Sequence, residues 1–270
     1  MQAREYDNQD NTARAYYNAR SAQFVKDYLY GNQRVVAAVG FAVRQLNHNQ
    51  PIHRLLDIGC GLGWTTFEMA RHFPNAHVQG LDSSDGLIDL AQRLFHLPNL
   101  MYQSADVLSL DYDQFIDGFF NAILLIDVYE HIPKDQRTVF HNLINRILSA
   151  TGTVIITIPS PGHQARLYNN HPEALQPVDE VVDHRDIFTF AESIGANLHH
   201  FAHISIWNPH DYVHIALTRE QTAETNDKHL VYHRMETRLS RTFRVLRHAS
   251  ECIPSVTEMT IRIYQKIIGR

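Results

Sequence analysis

The segment from residue 52 to residue 73 restricts this chain more than any other. An apolar run, Ile52 to Ile58, leads directly into glycines at alternate positions, Gly59, Gly61 and Gly63. Thr65, Phe67, Met69, Ala70 and Phe73 continue as a helix. Strand, glycine turn and helix open a parallel sheet, and the glycines let a ligand approach the main chain. Asp57, two residues before the first glycine, sets a carboxylate at the mouth of the turn. A dinucleotide fingerprint would need its third glycine at position 64. Trp64 stands there instead, so the turn suits a ligand with a cationic amine better than a diphosphate.

Three further strand ends carry acids. The run His77 to Leu81 ends in Asp82, and Ser83 and Ser84 then cap a helix with Leu87, Ile88, Leu90 and Ala91 on one face. An acid at the tip of the second strand is placed to accept two ribose hydroxyls. A third strand, Leu100 to Ser104, meets Ala105-Asp106-Val107. A fourth, Phe119 to Ile126, meets Asp127-Val128-Tyr129-Glu130-His131-Ile132-Pro133. Taken singly, Asp57 and Asp82 are ordinary turn or helix caps, and Asp111 and Asp113 make the loop after Asp106 generally acidic.

In this order, over roughly residues 52–160, the four segments resemble the class I S-adenosylmethionine-dependent methyltransferases. The resemblance implies that Asp57, Gly59, Cys60, Gly61 and Gly63 hold the methionine end of the cofactor. It assigns Asp82 and Ser83 to the ribose and Ala105, Asp106 and Val107 to the adenine. Asp127 falls at the edge beside the transferable methyl group. S-adenosylmethionine is the implied cofactor and S-adenosylhomocysteine the product.

The expected fold is α/β, a doubly wound seven-stranded mixed sheet with a helical N-terminal cover and a C-terminal helical appendage. Residues 1–50 form the cover, with Tyr16, Phe24, Tyr28 and Leu29 on one helix and Val35, Val36, Val39, Val43 and Leu46 on the next. Tyr16 and Tyr17 are expected to pack on the sheet, with lining the cofactor pocket as the alternative. Residues 51–220 form the core. In it, Val139, Phe140, Leu143, Ile144, Ile147 and Leu148 mark a helix, and Thr151-Gly152 turns into a strand from Val154 to Ile158. A helix over 184–196 and strands over Asn197 to Ile206 and Tyr212 to Thr218 complete it. The stretch 159–183 lacks a period, contains four prolines and leaves the carboxyl end of the fifth strand. It is taken as the loop that selects the acceptor, through Tyr168, His163, His171 and Glu173.

An activated methyl group needs an in-line nucleophile, and a hydroxyl nucleophile gains from a base. His131 is the expected base, acting on a hydroxyl of a small metabolite or sugar. One alternative groups Asp127, Glu130 and His131 around a divalent ion, with His163, His184 or His210 as a fourth ligand, for vicinal hydroxyls of a catechol or an RNA end. Another is a non-catalytic scaffold that keeps the cofactor pocket. No metal ligand is assigned. The histidines at 199, 200, 203, 210 and 214 alternate between strand faces and make a weak metal set.

Composition fits a cytoplasmic enzyme with a small-molecule acceptor. Two cysteines, Cys60 and Cys252, give no disulfide framework, and the first residues lack a secretory layout. The net charge is −5, yet residues 228–270 hold nine basic residues against three acidic ones. Their helical stripes, Met235, Leu239, Phe243 and Leu246, then Val256, Met259, Ile263 and Ile267, suit packing on the domain or on a second subunit. Residues 230–268 also suit peripheral membrane contact. Nucleic acid is not expected, because the body is acidic and aromatics do not interleave with the basic residues.

Overall fold

The computed structural model describes residues 15–47, 51–109 and 117–219. Residues 221–270, with the expected basic helical tail, lie outside the described residues. Seven strands form one sheet in the order β3-β2-β1-β4-β5-β7-β6. They are β1 (Arg54–Ile58), β2 (His77–Asp82), β3 (Leu100–Ser104), β4 (Phe120–Ile126), β5 (Leu148–Pro159), β6 (Asn197–Ile204) and β7 (Tyr212–Thr218). The first five pair in parallel, and β7 runs antiparallel between β5 and β6. The strand order turns back at the β1–β4 junction. There the connecting helices pass to opposite faces and leave a crevice at the carboxyl ends.

Burial explains the strand sequences. Ala122, Ile123, Leu124 and Leu125 on β4 and Val154, Ile155 and Ile156 on β5 have no solvent exposure, as expected for parallel strands covered on both faces. Each large one contributes about 1.5–3 kcal/mol by its burial. Helical residues 15–19 (α1), α2 (Ser21–Tyr30) and α3 (Gln33–Asn47) precede the sheet. Gly31, at φ 81°, turns α2 into α3. The α3 face of Ala38, Phe41, Ala42, Val43 and Leu46 packs on the sheet with Leu55, Leu124 and Ile155. Phe41 also stacks on His214 and tilts against His200, with ring centroids 4.7 and 5.0 Å away. Those two members of the histidine-rich stretch are therefore packing groups, and burial lowers His214 to about 3.

The helices α4 (Trp64–His72), α5 (Asp85–Leu94), α6 (Arg137–Ile147) and α8 (His184–Ser193) fall where periodicity places them. Ser84 caps α5 by accepting the Leu87 N–H at 3.2 Å. Asp183 and Asp186 form a reciprocal capping box on α8. Three details differ from the sequence reading. Val139, placed with the apolar face of α6, is 51% exposed, because the buried face runs through Phe140, Leu143, Ile144 and Ile147. β5 begins at Leu148, directly after α6, and a register irregularity opposite Phe120–Ala122 absorbs Gly152 within the strand. The stretch 159–183 is not all loop. It holds α7 (Pro161–Asn170) and a short 3-10 turn, Pro172–Ala174. Only Gln164 of α7 is buried, so the helix has no apolar stripe to betray it, though Ser160 caps it and Pro161 occupies its first turn.

Candidate active site

The crevice at the carboxyl ends of β1, β2 and β4 holds a cavity of about 300 Å³. Of the residues singled out in the sequence, Gly59, Cys60, Gly61, Asp82, Ser83, Ala105, Asp106, Val107, Asp127 and His131 all line it. Asp57 and Gly63 do not. Tyr17, Phe24 and Arg34 reach it from the cover, and Gln176, Pro177 and Val178 from the segment after α7. Tyr168, His163, His171 and Glu173 are not among its lining residues. Tyr168 instead donates its hydroxyl to the Asp179 carbonyl.

The glycine turn is built by backbone conformation. Gly59, Gly61 and Gly63 have φ of 66°, 54° and 82°. The Cys60 N–H donates to the Leu81 carbonyl at 2.9 Å, and the Gly63 N–H closes back on the Cys60 carbonyl at 2.8 Å. Gly61 is left open, since a Cβ there would meet only the Phe24 ring at 3.8 Å. Gly63 is crowded, since its Cβ would lie 2.5 Å from the Tyr102 ring, whose hydroxyl donates to the Gly63 carbonyl.

The acids at the strand tips sit in different surroundings. Asp82 accepts the Gly61 N–H at 2.8 Å on one oxygen and the Ser84 N–H at 2.9 Å on the other. Burial raises its carboxyl, and those two hydrogen bonds oppose the rise. Each oxygen keeps a second lone pair for a ligand hydroxyl. Asp106 accepts the Leu108 N–H and the Ser109 hydroxyl, a turn-capping arrangement at the cavity wall. Asp57 is sealed at 1% exposure, with the Thr66 hydroxyl donating to Oδ2 at 2.7 Å. Burial pushes it up to about 7, against the Thr66 hydrogen bond.

After β4 the chain turns sharply. Asp127 adopts φ 56°, and its Oδ2 contacts the Arg34 guanidinium. Burial raises the Asp127 carboxyl, opposed by Arg34 and His131. A 3-10 turn, Tyr129–His131, then carries the imidazole. His131 Nδ1 lies 2.6 Å from the Val178 carbonyl, so Nδ1 bears the proton and Nε2 keeps its lone pair. Nε2 is 3.9 Å from Glu130 Oε1, beyond hydrogen-bond reach. Burial lowers the pKa of His131, against the pull of Val178 and Asp179. Burial also raises Glu130 well above the carboxylate range.

The turn is braced from behind. The Tyr129 hydroxyl bonds His141 Nε2 at 2.9 Å, and the Tyr129 ring stacks on Phe190 of α8 at 5.1 Å. Arg137 donates to the Ile132 carbonyl and pairs with Asp186. The metal alternative finds little support in this arrangement. Asp127 is turned to Arg34, His131 Nδ1 to Val178, and among the described residues no three His, Cys, Asp or Glu side chains converge on one point. Among them too, no helix is long and apolar enough to cross a membrane.

The first residues of the cover are tied down beside this site by hydrogen bonds. The Tyr17 hydroxyl donates to Gln176 Oε1 at 2.5 Å, and the Ser84 hydroxyl to Asn18 Oδ1 at 2.5 Å. Of the two readings of Tyr17, packing on the sheet gives way to lining the cavity, where Gln176 offers its hydroxyl a partner. Arg34 and Gln176 gave no signal in the sequence, each being a single polar residue without a motif.

The methyltransferase domain family matches residues 55–152. A malonyl-acyl-carrier protein O-methyltransferase of Bacillus cytotoxicus is 25% identical over 103 residues, 34% of this chain and 36% of that protein. A trans-aconitate 2-methyltransferase of Deinococcus radiodurans is 39% identical over 88 residues, 33% of this chain and 31% of that protein. The chain thus spans about a third of the length of these curated relatives. Magnesium protoporphyrin IX methyltransferase of Synechocystis PCC 6803, solved with bound S-adenosylhomocysteine, shares the fold at a TM-score of 0.57 and 17% identity. That alignment covers 78% of this chain and 100% of the other.

Proposed function

We propose that this chain, which carries a methyltransferase domain over residues 55–152 and shares the fold of a methyltransferase solved with S-adenosylhomocysteine, transfers the methyl group of S-adenosylmethionine to a hydroxyl of a small metabolite or sugar. The observation that carries the proposal is His131, whose Nε2 is unprotonated and free while the ring lines the same cavity as the glycine turn. When bound, the cofactor supplies a methyl group activated on a sulfonium. The residues present fit it. Gly61 leaves a patch of wall bare of a side chain, Asp82 has lone pairs for two hydroxyls, and Asp106 stands at the side the resemblance gives to the adenine.

The chain's own part is to hold the acceptor in line and take its proton. His131 Nε2 accepts that proton, and the Val178 carbonyl fixes the tautomer that allows it. Gln136, Gln176 and Tyr17 present polar groups beside it, and Phe24, Ile132 and Val178 exclude water. The name of the Bacillus relative favours oxygen as the acceptor atom.

The test is transfer of labelled methyl from S-adenosylmethionine across a panel of sugars, phenols and carboxylic acids. Turnover of a hydroxyl compound that collapses in His131→Asn, with S-adenosylhomocysteine binding retained, supports the reading. Turnover of carboxylic acids alone, indifferent to His131, would overturn it, because an acceptor that is already anionic needs no base.

A further inference from the structure

Gln164 is the one residue of α7 that the fold buries, at 2% exposure, yet it does not line the cavity. Its side-chain amide donates to Asp179 Oδ1. The Asp179 side chain is itself only 9% exposed. Its Oδ2 accepts the Gln176 N–H at 3.2 Å, which closes the turn 176–179, and its carbonyl accepts the Tyr168 hydroxyl. One residue on, the Glu180 N–H donates to the Glu130 carbonyl at 2.8 Å. Val178 stands inside this clamp, and its carbonyl is the group 2.6 Å from His131 Nδ1. Asp179 Oδ1 lies 3.9 Å from the same nitrogen, beyond hydrogen-bond reach but close for a charge.

A base this buried must carry a charge in the reaction. As the acceptor oxygen bonds the methyl carbon, sulfur keeps the electron pair of the broken bond and the hydroxyl proton passes to Nε2. The ring is then a cation with 14% of its side chain exposed, where burial disfavours the charged form. Glu130 stands 3.9 Å from Nε2, but burial opposes its ionisation. Asp127, at the end of β4, favours a cation on the ring and Arg34 of α3 opposes it. Those two pair with each other, and Tyr212 of β7 also bonds Arg34, so their effects on the ring largely cancel. Burial keeps Tyr17 of the cover and His163 of α7 neutral. Lys134 and Glu180 pair at the surface. Asp179 has neutral hydrogen-bond donors on both oxygens and keeps its negative charge facing Nδ1. An acid behind an imidazole holds its tautomer and stabilises the cation without taking the proton.

We propose that Asp179 is a positioning residue for His131, holding the Val178 carbonyl on Nδ1 and offsetting the charge that the ring gains with the acceptor's proton. This rests on the assignment of His131 as the base. The buried Gln164 then has its task, which is to pin that carboxylate.

Long-range nitrogen–proton spectra of the imidazoles, on the whole chain saturated with S-adenosylhomocysteine, test the electrostatic half. His131 is assigned by its absence in His131→Asn. Asp179→Asn keeps the shape, since a flipped Gln164 amide can face the new NH2 group. The ring should stay protonated at Nδ1 while its pKa falls by about one unit. Asp179→Glu, which restores the charge, should recover about half of that fall. If Asp179→Asn does not fold, the wild-type Asp179 carboxyl carbon decides, since its resonance should move with the midpoint of the ring and a resonance blind to it would overturn the proposal. The chemical half is read with a hydroxyl compound that the wild type turns over. Asp179→Asn should lower kcat about tenfold and move its acid limb to lower pH, with KM within about twofold. An unchanged ring pKa in Asp179→Asn, or a kcat loss without movement of the limb, would also overturn it. Normal turnover in His131→Asn would instead remove the base assignment, and the proposal with it, whatever the spectra show.

Discussion

On one wall of the cavity, the Gly59–Gly63 turn, Asp82 and Asp106 are fixed by main-chain groups of their own turns and of the adjacent strand: Cys60 and Leu81, Ser84, and Leu108. On the other, Arg34, Asp127, His131 and Gln176 come from α3, the end of β4, the 3-10 turn and the segment after α7. They are held by partners far along the chain, Tyr17 with Gln176 and His131 with Val178 among them. The first wall is shaped by backbone dihedrals that a short sequence encodes. The second exists only once the whole sheet, α6 and α8 have packed. Damage to the first should therefore appear as lost stability, and damage to the second as lost chemistry in a folded protein.

The largest effect belongs to the second wall. His131→Asn should lower turnover of a hydroxyl acceptor by about 10²–10⁴-fold while the melting temperature stays near wild type. Because burial lowers the pKa of His131, its basic form survives as pH falls through 6.5. Wild-type kcat should thus be flat across neutrality and decline only at more acidic pH. A decline already under way above pH 7 would assign the limb to another group.

A glycine pair sharpens the contrast from the other side. Gly63→Ala meets both a φ of 82° and the Tyr102 ring, so about 2–4 kcal/mol of stability should be lost. Gly195→Ala meets φ 60° with nothing within 4 Å, and should cost only about 1–2 kcal/mol. Urea denaturation of the two variants compares them, and equal losses would remove the role given to Tyr102.

A further effect concerns Asp57, whose carboxyl burial pushes from 3.8 up to about 7. The folded protein holds this proton more tightly than the unfolded chain, so its stability contribution falls as pH rises from 3.8 to 7. Asp57→Asn escapes that loss. The melting temperature of the variant relative to wild type should therefore rise by a few degrees between pH 4 and pH 8. A pH-independent difference would mean that the carboxyl is not raised.

What the sequence revealed follows the same division. Asp82, the glycine turn and the Ser84 cap were legible because each carries a short local pattern at a strand end, although the Asp82–Gly61 and Cys60–Leu81 hydrogen bonds join two neighbouring units. Asp57 reads in the sequence as a carboxylate at the mouth of the turn, yet it is buried beside Thr66, which depends on how α4 lies across β1. Arg34 was silent, since a lone arginine early in a helix reads as a solvated charge until β4 and β7 bring Asp127 and Tyr212 to it. α7 was missed because periodicity reports only helices with a buried stripe, and Gln164 alone turns inward. Val139 misled for the opposite reason, being apolar at helical spacing and yet outside.

The cover bears on the order of events in a catalytic cycle. Tyr17 and Asn18 tie the start of the cover down through one hydrogen bond to Gln176, one from Ser84 and one from the Gly86 N–H, each worth about 1 kcal/mol net. Such a latch opens often, each time spent cofactor is exchanged, so it would leave the displacement itself to pace repeated turnovers. A kcat indifferent to solvent viscosity would carry that signature, and loosening the latch with Tyr17→Phe would relax the grip on the acceptor without quickening the cycle.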